Sequence, residues 1–188
     1  MPLASAESRL LDFGCGTGLM GLELKKAGYT NIYGLDGSAQ MLEIADSKGI
    51  YKWTWEVLVG VTKLPVGVQY TDFKGSGFDA TFSSACLIKG HLPNSCFEEM
   101  LQCLRPGGYM IFSIRDIYLN PETDNGMDFV GKLAELEQAG KIIHVETVHF
   151  EKYKGLQFGS GYMQEGANVK IYQKPQEATP VTAAFSPL

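Results

Sequence analysis

Long apolar runs are missing from this chain: no stretch of about 18 apolar residues occurs, and the start has no charged-then-apolar leader. A soluble, intracellular protein is therefore expected, in the cytoplasm with the nucleus as the other option. Basic runs are missing too. Lysine and arginine occur singly or as one pair, and the net charge is −5. Phosphate backbones are gripped by basic surfaces, so nucleic acid is not expected as the main partner, which leaves room only for a local basic rim. Cysteine is sparse, at Cys15, Cys86, Cys96 and Cys103, with no C-x-x-C spacing. The four read as reduced thiols, not as a disulfide framework or a zinc site, and no metal is expected.

What is present is concentrated in residues 9–36, RLLDFGCGTGLMGLELKKAGYTNIYGLD. Residues 10–13 form a short apolar run, as in a strand buried on both faces of a parallel sheet. It ends in Gly14-Cys15-Gly16-Thr17-Gly18, where glycine permits a sharp turn and lets a ligand approach the backbone. Leu19, Leu22 and the Lys25-Lys26 pair then ride a helical pattern that stops at Gly28. A second short strand, residues 32–35, delivers Asp36 at its carboxyl end. Gly14 and Asp36 are 22 residues apart, close to the roughly 20 expected between a glycine turn and a ribose-binding acid. The glycines are spaced G-x-G-x-G, and Leu19 stands where a dinucleotide fingerprint places its third glycine. Asp12, two residues before the loop, repels phosphate but suits a cofactor with an ammonium or sulfonium group.

The heptapeptide DFGCGTG, residues 12–18, resembles the first motif of class I S-adenosylmethionine-dependent methyltransferases. Leu35-Asp36-Gly37-Ser38 resembles their second-strand acid with its following turn. Leu104-Arg105-Pro106-Gly107-Gly108 resembles their third motif, and residues 78–85, beginning Phe-Asp, their fourth strand. The run from Gly49-Ile50-Tyr51-Lys52 through Lys63-Leu64-Pro65 to the last strand looks most like the animal methyltransferase-like proteins of the Williams–Beuren group. The resemblance implies an α/β fold: a Rossmann-like, doubly wound, mostly parallel seven-stranded sheet with an antiparallel last strand. It implies one domain over residues 1–174, S-adenosylmethionine as cofactor, and Asp12, Gly14, Cys15, Gly16, Asp36, Gly37, Met41 and Ser84 as cofactor-binding residues. For Met41, core packing is the alternative. Only nine residues precede Leu10, so the helices that normally open this family are expected to be missing.

Ser38 suits the N-cap of a helix that turns Met41, Leu42 and Ala45 inward. Residues 51–59 alternate as a strand, with Trp53, Trp55 and Val57 on one face and expected in the core. The Gly75-Ser76-Gly77 tip reads as a mobile loop. Enzymes that methylate base amino nitrogens commonly end the fourth strand with Asn or Asp, Pro-Pro and an aromatic. Ser83-Ser84-Ala85-Cys86 stands here instead, which weakens that reading. Cys86 is a methyl-relay nucleophile or, more plainly, a buried thiol. His91 falls in a loop at the carboxyl end of the sheet and is the best-placed candidate base, the alternative being a solvated loop histidine.

Ser95 reads as the cap of a helix carrying Phe97, Met100, Leu101 and Leu104 on one face. The Arg105-Pro106-Gly107-Gly108 run makes a tight turn into a buried strand, residues 109–114. Arg115, Asp116 and Tyr118 leave that strand toward the ligand end. Phe129, Leu133 and Leu136 stripe another helix, followed by strands over residues 142–154 and 168–172. Strict alternation puts His144 and His149 on opposite faces. Residues 175–188, with three prolines and no periodicity, read as a disordered tail. Three classes stay open: a methyltransferase acting on a small-molecule or protein acceptor, a non-catalytic cofactor-binding module, and a nucleotide-linked oxidoreductase with an unusual glycine loop.

Overall fold

In the computed structural model, the described residues are 5–69, 77–154 and 164–176. The short apolar runs form strands that the flanking helices cover. β1 (Arg9–Phe13), β2 (Asn31–Asp36), β3 (Trp53–Glu56), β4 (Phe78–Ser83) and β5 (Leu104–Arg115) run parallel. The last strand in sequence, β7 (Gln164–Gln173), lies antiparallel between β5 and β6 (Ile143–Lys154). Helices α1 (Leu19–Lys26), α2 (Ala39–Ser47), α3 (Cys96–Cys103) and α4 (Phe129–Gln138) link them. The order is β3-β2-β1-β4-β5-β7-β6. This is the expected seven-stranded, mostly parallel Rossmann-like sheet. Strand order reverses between β1 and β4, and in open α/β sheets the crevice outside the strand carboxyl ends at such a reversal is where ligands bind.

Period-two alternation sorts β1 between two cores. Leu11 and Phe13 join the larger one with Leu35, Met100 and Phe112, where the Phe97 and Phe112 rings lie 4.9 Å apart. Leu10 joins the smaller one with Ile32, Ala80, Phe82 and Leu24 of α1. Asp12 has the parity of Leu10 and stands opposite Gly34 of β2. An ionisable side chain is thus directed beneath the glycine loop, in line with an otherwise apolar column.

Several local expectations are corrected. Strand β3 has four residues and is a sheet edge, so Trp53 is 63% exposed and Trp55 half-buried against Tyr33 instead of both lying in the core. Leu42 and Ala45 of α2 are buried, but Met41 is 46% exposed, which removes its core-packing reading. Gly21 and Leu24, not Leu19, form the buried face of α1. Ser95 precedes α3 without a side-chain cap. Leu104 already pairs with Phe78, so the Pro-Gly-Gly run is an irregularity within β5, where the register shifts between Phe78 and Ala80. A bulge in β6 between His144 and Glu146 overrides alternation: His144 pairs with Tyr172 and His149 with Asn168, four residues apart in β7, so both histidines share a face. They do not meet, being about 13 Å apart along the strand.

At the end of β7 the Gly107 amide donates to the carbonyls of Lys174 (2.9 Å) and Pro175 (3.4 Å). The Gly75-Ser76 part of the loop tip and residues 177–188 lie outside the described residues. No helix among the described residues is long and apolar enough to cross a membrane.

Candidate cofactor site

The loop after β1 is held by the neighbouring strand. The amides of Gly14 and Cys15 both donate to the Leu35 carbonyl, at 2.9 and 3.0 Å. Gly14 adopts φ +70°, and a Cβ there would lie 2.7 Å from Cys86 Sγ. Its glycine is required twice, by conformation and by space. Gly16 is different. At φ +52° its missing Cβ opens onto the Met41 thioether, 3.7 Å away, with no other heavy atom of the described residues within 4 Å apart from its chain neighbours. The loop backbone is bare on the side that faces α2.

Asp36 closes the loop. Its Oδ2 accepts from the Gly16 amide at 2.8 Å and its Oδ1 from the Ser38 amide at 2.9 Å. A carboxylate offers about four acceptor sites, so two remain for hydroxyl donors. Ser38 in turn caps α2, its Oγ accepting from the Met41 amide at 3.4 Å, which sets the first turn of that helix beside the loop. Gly37 has Leu58 against it: a Cβ would meet Leu58 Cδ1 at 3.1 Å. Met41 and the exposed Leu58 thus make an apolar lip next to Asp36. Leu58 lies beyond the motifs, in the link after β3, and no sequence signal marked it.

Asp12 is 1% exposed, and the Tyr51 hydroxyl donates to its Oδ2 at 2.8 Å. Burial above all, with the Asp36 charge, raises its carboxyl to about 7 against the Tyr51 hydrogen bond, which pulls it down. Burial and the Asp12 charge likewise push the Cys15 thiol up. Asp12 and Cys15 lie under the loop with buried side chains, while Gly14, Gly16, Asp36 and Ser84 are partly open and Gly37 and Met41 exposed. The Asp12 carboxyl and the Cys15 thiol are therefore both screened from solvent by the loop above them.

Across from the loop, Ala85 follows β4 at φ +61°, a conformation L residues seldom adopt, with its amide donating to Ser113 Oγ at 2.9 Å. Cys86 Sγ donates toward the carbonyls of Gly14 and Ser84, both at 3.2 Å. Burial and the charges of Asp12 and Asp36 push this thiol up to about 12. It is almost entirely protonated at neutral pH, which argues against the relay-nucleophile reading.

His91 is exposed in the loop after β4. His149 Nε2 lies 3.1 Å from Asp116 Oδ2, and Asn168 Nδ2 donates to Asp116 Oδ1 at 2.7 Å. β6 is four strands from β1, about 19 Å at the usual spacing, so His149 is not brought to the loop. Two clefts of about 540 and 590 Å³ lie elsewhere, one beside Lys141 and Lys174, the other between the 60–69 link and α3. In the first, the Lys174 ammonium caps α3, donating to the carbonyls of Leu101 and Leu104. No residue of the loop lines either cleft, and donor geometry identifies the site better than volume. No cluster of three metal-ligating side chains occurs among the described residues.

Residues 11–112, more than half of the chain, match the family described as methyltransferase domain. The human methyltransferase-like protein 27 is 33% identical over 131 residues, covering 70% of this chain and 49% of its own length. The chain thus spans about half the length of this curated relative. Among solved structures, a SAM-dependent methyltransferase from Methanosarcina mazei superposes with a TM-score of 0.63 at 16% identity, over 92% of this chain and 95% of its own. The [4+2]-cyclase SpnF superposes at 0.66 and 18% identity, over 93% and 78%. Likeness at such identity speaks for the fold alone; the domain match carries the family. Loop, second-strand acid, strand order and domain match agree, and the chain belongs to the S-adenosylmethionine-dependent methyltransferase family.

Proposed function

We propose that this chain binds S-adenosylmethionine along the glycine loop and transfers its methyl group to a small-molecule or protein acceptor. The observation that supports it best is the Asp36 carboxylate. It is tied to the loop at Gly16, keeps acceptor capacity for hydroxyls, and sits beside the lip of Met41 and Leu58. That combination fits a ribose flanked by an apolar base. The bare backbone at Gly16 fits close approach of the cofactor's amino-acid part, and the Asp12 charge fits a positive ligand while opposing a pyrophosphate. In this reading Asp12, Gly14, Cys15, Gly16, Asp36, Gly37, Met41 and Ser84 form the cofactor site.

The cofactor supplies a methyl group already activated by its sulfonium. The chain's own task is then to bind, orient and exclude water, and a strong base is not obligatory. Cys86 contributes packing under Gly14 and no nucleophile. Asp116 and His149, on the β5 and β6 side, lie away from the loop and are given no part in holding the cofactor. The absence of an Asn/Asp-Pro-Pro-aromatic run after β4 and the net charge of −5 favour an acceptor other than a base amine in nucleic acid. The cytoplasm is the compartment this reading assumes.

The test is calorimetric titration with S-adenosylmethionine, S-adenosylhomocysteine and NAD, followed by transfer of labelled methyl to fractionated cell extracts. Binding of the first two but not NAD, with label appearing in a protein or small-molecule fraction, is the expected result. Binding of NAD alone would overturn the cofactor assignment. Binding of both sulfur compounds without label in any fraction would favour a non-catalytic module.

A further inference from the structure

Tyr51 lies between α2 and β3, outside every motif of the site, yet its ring occupies a slot that three glycines leave open. A Cβ on Gly21 of α1 would lie 2.5 Å from the Tyr51 hydroxyl oxygen and from Cζ. A Cβ on Gly34 of β2 would lie 2.8 Å from Cys15 Sγ and 3.2 Å from Tyr51 Cε1, and one on Gly18 at the end of the loop 3.2 Å from Cε2. Loop, helix and strand therefore converge on one ring, and each presents glycine to it. At the tip of the ring the hydroxyl donates to Asp12 Oδ2 at 2.8 Å. Three elements and one buried carboxylate are referred to a single side chain.

On the reading that the cofactor lies along the loop, we propose that Tyr51 is a positioning residue: its ring sets the seat of the glycine loop, and its hydroxyl holds Asp12 beneath it as a carboxylate ready for a cationic ligand. Four titratable groups face one another here: Asp12 from β1, Asp36 from the end of β2, and the Cys15 and Cys86 thiols from the two flanking loops, with Tyr51 donating across them. Of these, the Tyr51 hydrogen bond favours the charged form of Asp12, while burial and Asp36 oppose it. With a carboxyl near 7, a good share of the free chain carries a protonated Asp12 at neutral pH. A ligand with a positive ammonium or sulfonium favours the carboxylate, so binding releases a proton, and affinity rises with pH through this range. Removing the hydroxyl raises the Asp12 carboxyl and moves that rise to higher pH. Removing the ring unseats the loop at every pH.

Two measurements separate these claims. In the free chain, carbon-13 NMR of labelled aspartate follows the Asp12 carboxyl, assigned through Asp12→Asn. A midpoint near neutrality that moves up in Tyr51→Phe is expected. S-adenosylhomocysteine is then titrated calorimetrically in buffers of different ionisation enthalpy, at pH values where the ligand's own ammonium stays protonated. The wild type should release a proton and bind about tenfold more tightly at the upper end of the range than about one pH unit below the midpoint. Tyr51→Phe should bind several-fold more weakly near neutrality and converge on the wild type as pH rises, whereas Tyr51→Leu should bind weakly throughout. Superimposable titrations and affinity profiles for wild type and Tyr51→Phe would overturn the role of Tyr51 and leave the cofactor reading standing. No binding by the wild type at any pH, with the Asp12 titration as expected, would overturn the cofactor reading and with it the purpose assigned here to Tyr51.

Discussion

The Asp36 carboxylate accepts from the Gly16 backbone amide at 2.8 Å, joining the end of β2 to the middle of the loop that follows β1. One side chain thereby shapes the loop and keeps oxygen lone pairs for a ligand. Hydrogen bonds to charged groups are worth about 1.5–3 kcal/mol. Asp36→Ala should weaken S-adenosylhomocysteine binding by roughly ten- to a hundredfold, since about 1.4 kcal/mol is one decade. Asp36→Asn, which keeps an acceptor, should lose less. Calorimetry on variants with unchanged circular dichroism checks both, and unchanged affinity in a folded Asp36→Ala would exclude the ribose role.

Gly16→Val separates fold from binding. The nearest atom to the added Cβ is Met41 Sδ at 3.7 Å, so the space exists, but φ of +52° strains any L residue by about 1–2 kcal/mol. The variant should fold with a slightly lower melting temperature and lose binding, because the branch covers the bare backbone. Normal S-adenosylhomocysteine affinity would make the loop a structural turn only.

Gly14 and Cys86 should behave as a pair. Gly14→Ala meets Cys86 Sγ at 2.7 Å and also sits at φ +70°. It should destabilise the chain by a few kcal/mol. Cys86→Ala in the same chain removes the 2.7 Å sulfur contact but keeps the Cys86 Cβ at 3.2 Å and the backbone strain, so the double variant should recover part of the loss. Denaturant unfolding in a double-mutant cycle measures this, with simple additivity as the contrary result.

Stability should fall as pH rises through the window set by Asp12. Its folded carboxyl is pushed up to about 7 by burial, well above the ordinary aspartate value of 3.8, so the folded chain holds the proton more tightly than the unfolded one. That contribution is full below the unfolded value and disappears as pH rises toward 7, an effect on the order of 4 kcal/mol at most. Asp12→Asn removes the ionisation. It should therefore melt higher than the wild type at mildly alkaline pH, with the gap closing at about pH 4. Parallel melting curves across this range would show that Asp12 stays ionised in the folded chain.

What the sequence alone determined is what short-range chemistry encodes. The apolar run, the three alternating glycines and Asp36 at its spacing sit within one strand–loop–helix–strand unit, and the hydrogen bond from Gly16 to Asp36 spans only 20 residues. The cap at Ser38 and the stripe of α4 are equally local. Tertiary structure decided the rest. Trp53 is exposed because β3 ends the sheet, a fact of strand order that no alternation pattern carries. His144 and His149 share a face because one bulge reverses the parity between them. Cys86 reaches Gly14 across 72 residues, and Tyr51 reaches Asp12 across 39, because β4 and the α2–β3 link are folded onto β1. Such contacts depend on register and crossing between distant segments: the Tyr51 ring is what an added Cβ would meet first at Gly18 and Gly21, and at Gly34 the Cys15 thiol comes before the ring.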